Sequence, residues 1–187
     1  YYVVGFFPLL LAAASVWVIE GSPRARRVAM GTITWFAVVG VVLFLPLFPA
    51  RWLPYTPILD INTDAGETIG WPAFVATVGQ VHDENDAEIV IGDNYGEAGA
   101  MLHFRPDIDT FSPHNSLYDV AQPPASAQLA VMVGFEEDEL EFCDSLEQKG
   151  SIDNGLDVDN EEQGQTVWLC ATTADWTLVW PRLRHLN

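Results

Sequence analysis

Residues 88–97 read EIVIGDNYGE, and the order of chemistry within these ten residues decides the fold. Ile89, Val90 and Ile91 form a short apolar run rich in β-branched side chains, which reads as a strand buried on both faces. The run stops at Gly92, turns polar through Asp93, Asn94 and Tyr95, and re-enters apolar sequence at 98–104, which resembles a short helix. Strand, polar turn and helix in that order is the unit from which parallel sheets are built.

The same alternation continues in both directions. Upstream, Pro72 is placed at a helix start, and Phe74, Val75, Val78 and Val81 then share one face at helical spacing. Downstream, residues 129–135 (LAVMVGF) read as a second buried strand, 136–148 as an acidic amphipathic helix, 166–172 as a third strand and 175–185 as a terminal helix. Repetition of βα predicts a small three-layer α/β domain with a mainly parallel sheet, joined by right-handed crossovers.

Before this domain lie two long apolar stretches, Tyr1 to Ile19 and Val28 to Phe48, neither containing a charged residue. Each approaches the ~20 residues needed to cross a ~30 Å hydrocarbon layer, where only a helix satisfies its own backbone. The turn between them, EGSPRARR at 20–27, carries Arg24, Arg26 and Arg27, and the positive-inside bias assigns it to the cytoplasm. Trp17, Trp52 and Tyr55 suit interfacial anchors, and Trp17 reads equally as a lipid-facing or core aromatic. A signal peptide would show a basic flank and a single shorter core instead. The expected organisation is therefore two transmembrane α-helices with a short cytoplasmic turn (1–48), a Pro-rich tether (49–58) holding the domain near the bilayer, and an extracytoplasmic α/β domain (59–187). The chain is thus expected to be an integral protein of the cytoplasmic membrane, in contact with membrane lipid. An opening inside an apolar helix, without Met, suggests a piece of a longer polypeptide.

Charge divides along the same line. Four arginines against Glu20 leave residues 1–58 at +3, so the chain's total of −18 places −21 on the remainder. The domain's bases are Arg105, Lys149, Arg182 and Arg184. A surface so negative repels phosphodiester backbones, which excludes nucleic acid as a partner. A single Lys in so acidic a chain also suits a concentrated-salt environment, where screening removes self-repulsion.

Candidate ligand-binding residues follow from position. In open α/β sheets ligands gather beyond the carboxyl ends of strands, which marks Asp93, Asn94, Tyr95 and Glu97. The competing reading makes Asn94 or Asp93 a helix N-cap and Glu97 a first-turn acid favoured by the helix dipole. His114 and Asn115, in the loop SPHNS, supply donors and acceptors that suit a sugar or phosphate, although a His-Asn pair also reads as a plain turn. With a parallel sheet, both loops aim at one polar pocket. The acidic run 153–162 (DNGLDVDNEE) invites a calcium reading. Counting from Asp157, however, position six is Glu162 in place of Gly and position twelve is Trp168 in place of Glu, so it is not an EF-hand. Loose Ca²⁺ binding on an acidic loop stays open beside the simpler account, a solvated charge run. Cys143 and Cys170 form either a disulfide or two buried thiols. No GxSxG, HExxH, P-loop or metal-ligand set occurs.

The strings YYVVGFFPLLLAAASVWVIEG, LPLFPARWLPYTPILDINTDAGETIGWPAFVATV, IVIGDNYGEAGAML, the His114-Asn115 pair, IDNGLDVDNEEQGQTVWLC and WPRLRHLN together resemble the C-terminal end of bacterial glycosyltransferase family 39 proteins. These are relatives of protein O-mannosyltransferases and aminoarabinose transferases of the GT-C class. The resemblance spans nearly the whole chain. It implies a polytopic enzyme taking sugar from a polyprenyl phosphate on the outer membrane face, with its catalytic acid in an early external loop upstream of these residues. Residues 1–187 would then contain no catalytic residue and no cofactor, although the full-length enzyme allows a divalent metal. They would supply two membrane helices, packed with upstream helices of the same polypeptide, and a domain that caps the active site or aids acceptor choice. A different class of protein also fits the organisation: a membrane-tethered binding or sensor module without catalysis.

Overall fold

A computed structural model describes residues 6–186, the side chain of Trp17 excepted. The chain divides into two compact units, residues 1–47 and 48–187.

In the first unit, α1 (Phe7–Glu20) and α2 (Pro23–Phe44) are joined by a tight turn. Ser22 caps α2 by accepting from the Ala25 N–H at 3.3 Å, with Pro23 at the first position, where its missing N–H costs nothing. Arg26 donates to the Ile19 carbonyl at 2.8 Å, satisfying the free end of α1. Among the described residues, only α2, at 22 residues, is long and apolar enough to cross a membrane by length and composition. This corrects the expectation of two transmembrane helices. The 14 residues of α1 rise roughly 21 Å, short of a ~30 Å layer. Tyr1 to Gly5, part of the first predicted span, and the Trp17 ring lie outside the described residues. Apolar side chains of both helices, among them Leu9, Leu11, Trp35 and Phe36, are exposed.

The second unit opens with a 3-10 turn at Ala50–Tyr55 and two one-turn helices, α3 (Ile58–Ile61) and α4 (Asp64–Glu67). There follow α5 (Trp71–Glu84), β1 (Ile89–Gly92), α6 (Tyr95–Phe104), β2 (Thr110–Phe111), α7 (Leu117–Val120), β3 (Leu129–Val133), a 3-10 turn at Glu137–Leu140, β4 (Ser145–Ser151), β5 (Thr166–Ala171) and α8 (Trp176–Leu183). One five-stranded sheet runs in the order β2-β1-β3-β5-β4. It is mixed, which corrects the mainly parallel expectation: β1 is parallel to β2 and β3, whereas β5 is antiparallel to both β3 and β4. The predicted helix over 136–148 is instead a 3-10 turn followed by the edge strand β4.

Strand alternation divides the core into two layers. Val90, Val131, Val133 and Val167 face Phe74, Val75, Val78 and Val81 of α5 and Met101 of α6. Ile89, Ile91, Ala130 and Met132 face Trp176, Val179 and Trp180 of α8. Both buried indoles have partners, Trp176 donating to the Ala127 carbonyl at 2.8 Å and Trp180 to that of Tyr118 at 3.3 Å. Helices thus cover both faces of the sheet. Cys143, just before β4, is disulfide-bonded to Cys170 on β5.

Candidate functional site at the carboxyl edge of the sheet

Three loops meet where β1 and β3 end. Asp93 continues β1, its N–H donating to the Val133 carbonyl at 2.9 Å. Ser112 Oγ donates to the Asp93 carbonyl at 3.1 Å, which ties the loop 112–116 to the loop after β1. The C-terminal segment closes the group, since the Asn115 N–H donates to the His185 carbonyl at 3.0 Å.

His114 is buried at this junction. Its Nδ1 accepts from the Tyr95 N–H at 3.3 Å, so the ring proton belongs on Nε2. One face of the ring lies near Tyr95, with centroids 5.0 Å apart, and His185 stacks on it at 4.7 Å. Burial, together with the neighbouring His185, pushes the His114 pKa below the usual imidazole value, which keeps it neutral at pH 7. His185 Nε2 lies 3.7 Å from Asp93 Oδ1. Burial raises the Asp93 pKa, opposed by His185 and reinforced by Glu139.

Asn94 and Glu97 have a different place. Asn94 Oδ1 accepts the N–H groups of Gly96 and Glu97 at 2.7 and 3.0 Å, and Glu97 Oε2 accepts the Asn94 N–H at 3.2 Å. This reciprocal capping box satisfies the free donors at the start of α6. Glu97 is fully buried, and burial drives its pKa up to about 8, with the charges of Asp93 and Glu162 adding to the rise. Its Oε1 has no partner. Gln165 Oε1 is likewise buried without a partner, and Glu97, protonated at neutral pH, can donate to the Gln165 side chain beside it.

The six residues marked from sequence are therefore neighbours but do not share a single cavity. Asp93 lines a cavity of about 380 Å³ together with Phe135, Phe142, Arg182 and His185. Tyr95 and Asn115 line a shallower depression beside Leu102 and Ser116. His114 lies beside Tyr95 and His185, while Asn94 and Glu97 hold the loop. Arg182, Arg184 and His185 went unmarked in the sequence. Their signal was the presence of two of the domain's four bases within the last six residues of an acidic chain. Arg184 pairs with Asp119 at 3.3 Å and lies over the Tyr118 ring, Arg105 pairs with Asp83 and Asp107, and Lys149 pairs with Glu147. Among the described residues of the domain, Arg182 is the base without an ion pair.

The acidic run 153–162 folds around two inward asparagines. Asn154 Nδ2 donates to the Val158 carbonyl and Asn160 Nδ2 to that of Ile69, at 2.6 and 3.0 Å. Asp153, Asp157 and Asp159 stay exposed. Glu161 and Glu162 instead approach Glu67 of α4, one carboxylate oxygen of each lying within 4.8 Å of the others.

Set against protein-family models, curated proteins and solved structures, the chain matches none.

Proposed function

We propose that this chain is the C-terminal part of a polytopic membrane glycosyltransferase fed by a polyprenyl-phosphate sugar, and that its acidic domain engages a sugar group at the carboxyl edge of the sheet. The observation that carries this reading is the composition of the cavity beside Asp93. Carboxylates of Asp93, Asp138 and Glu139 can accept from hydroxyls, Arg182 and His185 can donate, and the rings of Phe135 and Phe142 offer apolar faces. A pyranose presents hydroxyls around its rim and C–H groups on its face, which is the complement of that lining. At about 380 Å³ the cavity lies at the lower end of the ~300–1,000 Å³ range of small-ligand sites. Asp93, Asp138 and Glu139 outnumber the cavity's two arginines, Arg182 and the Asp119-paired Arg184, which disfavours a bare phosphate.

In this reading Asp93 orients acceptor or donor hydroxyls and the neutral His114 fixes His185 from behind. Bond breaking belongs to an acid elsewhere in the full-length enzyme.

The test is sugar transfer by the full-length protein in membranes, supplied with polyprenyl-phosphate sugar. Arg182→Ala removes an exposed side chain that holds no ion pair, so the fold should survive, and transfer should fall about tenfold at unchanged melting temperature. Wild-type rates in both Arg182→Ala and Asp93→Asn would reject the reading. Sugar binding by the intact protein without any transfer would instead favour the tethered binding module.

A further inference from the structure

We propose a second site, independent of the sugar cavity: Glu67, Glu161 and Glu162 hold a hard divalent cation of the Ca²⁺ type. Residues 94 apart in sequence bring three carboxylate oxygens within 4.8 Å of one another. Any two oxygens bound to one Ca²⁺ ion at about 2.4 Å lie no more than about 4.8 Å apart, so this spacing admits the ion. Mg²⁺ demands a strict octahedron and gives up its waters reluctantly, so a group of carboxylates on two separate chain segments favours Ca²⁺.

The surrounding structure builds this approach. Asn160 Nδ2 donates to the Ile69 carbonyl at 3.0 Å, and at 3.4 Å to that of Gly66, which pins the chain after α4 beneath the 160–165 loop. The Glu161 N–H donates to Glu67 Oε2 at 3.3 Å. The Trp71 indole donates to the Glu67 carbonyl at 2.9 Å and fixes that residue from the other side.

What distinguishes this group from an ordinary acidic surface is Glu162. It is 5% exposed, and its Oε2 is buried without any hydrogen-bond partner. A buried carboxylate oxygen left without a donor is costly, and native proteins rarely leave one so. Among the described residues no Lys, Arg or His lies within ion-pair distance of the three carboxylates. A divalent cation supplies the missing positive charge and gives that oxygen a partner. Glu67 and Glu161, more open to solvent, leave room for the waters that complete a Ca²⁺ shell. The ion would join α4 to the 160–165 loop, so binding should appear as stability.

The experiment uses the whole chain in detergent, stripped with chelator and then titrated with CaCl₂ or MgCl₂ while thermal unfolding is followed. Ca²⁺ at 1 mM should raise the melting temperature by about 5 °C, with a smaller effect from Mg²⁺. Glu161→Gln, an exposed substitution that leaves the fold intact, should reduce the Ca²⁺ response at least tenfold in midpoint concentration. Asp157→Asn, in the same acidic run but outside the cluster, should leave it unchanged. The proposal fails if Ca²⁺ produces no shift, or if the shift persists undiminished in Glu161→Gln. It also fails if acidification alone stabilises the cluster while Ca²⁺ does nothing, because a shared proton would then be the missing partner.

Discussion

Gly134 makes room for Glu97: a Cβ built on Gly134 would stand 2.6 Å from Glu97 Oε1 and 2.7 Å from the Asp93 Cβ. The glycine follows β3 with φ at +85°, a conformation that side chains disfavour. The turn after one strand is thus shaped by an acid on the helix after another. Gly134→Ala should therefore cost about 2–4 kcal/mol, from the left-handed backbone plus the steric conflict. Gly155→Ala separates the two terms. It also has positive φ, at +69°, but a Cβ there meets nothing within 4 Å, so the loss should be about 1 kcal/mol. Denaturant unfolding of the two variants measures the difference, and equal losses would remove Glu97 from the explanation.

Glu97 should also make the domain less stable in base. Its folded pKa is about 8 against an ordinary value of 4.5, so the folded state holds a proton that the unfolded chain has released. Stability is then full below about pH 4.5 and is lost as pH rises through about 8, by up to about 1.4 kcal/mol per unit within that window. Glu162, raised to about 7 by burial and by Glu67, acts in the same direction. Glu97→Gln cannot titrate and still offers an oxygen to the Asn94 N–H. Measured with chelator between pH 5 and 9, it should flatten the decline and exceed the wild type at the alkaline end. An unchanged slope would mean that Glu97 is ionised in the folded state.

The parts of the domain that were legible in sequence are those whose burial writes a pattern. Ile89–Gly92 and Leu129–Val133 are covered on both faces and read as apolar runs, and Phe74 to Val81 repeats at helical spacing because one face of α5 is buried. β4 was misread because SLEQKGS at the sheet edge buries nothing fully. Its hydrogen bonds come from β5, so its identity as a strand is set by a partner some twenty residues away. That error hid the antiparallel half of the sheet. The strand–helix order around β1 places the loop with Asp93 and Tyr95 at the carboxyl edge, whereas the loop with His114 and Asn115 reaches that edge through β2, a two-residue strand parallel to β1 that leaves too short a pattern to read. His185 and Glu67 were not legible, because they arrive through tertiary contact from the two ends of the domain.

The disulfide between Cys143 and Cys170 closes a span of 27 residues across the β4–β5 pair. In the chain-entropy model, a loop of that length stabilises by about 3.5 kcal/mol through the unfolded state. The double substitution Cys143→Ala with Cys170→Ala should lower the unfolding free energy by roughly that amount. Because β4 contributes little burial of its own, its amides should lose exchange protection first. Non-reducing peptide mapping with thiol blocking checks the bond itself, and recovery of two blocked cysteines would remove this term.

The last expectation concerns sidedness, which the reading as a membrane enzyme requires. Arg24, Arg26 and Arg27 all fall in the first five residues of α2, the one helix of spanning length and composition among the described residues. Positive residues flanking a span favour the cytoplasmic side, so residue 22 should be internal and the acidic domain external. A disulfide suits the external compartment as well. Single cysteines placed at Ser22 and, separately, at exposed Ser126 can be probed in intact cells with a membrane-impermeant maleimide. Labelling should occur at 126 and be absent at 22 until the cells are permeabilised. The opposite pattern would place the carboxyl-edge cavity on the cytoplasmic side, away from an externally presented polyprenyl-phosphate sugar, and the proposed function would fall with it. Labelling at both positions in intact cells would mean that α2 does not separate them across the bilayer, and the domain would then need another means of attachment to the membrane.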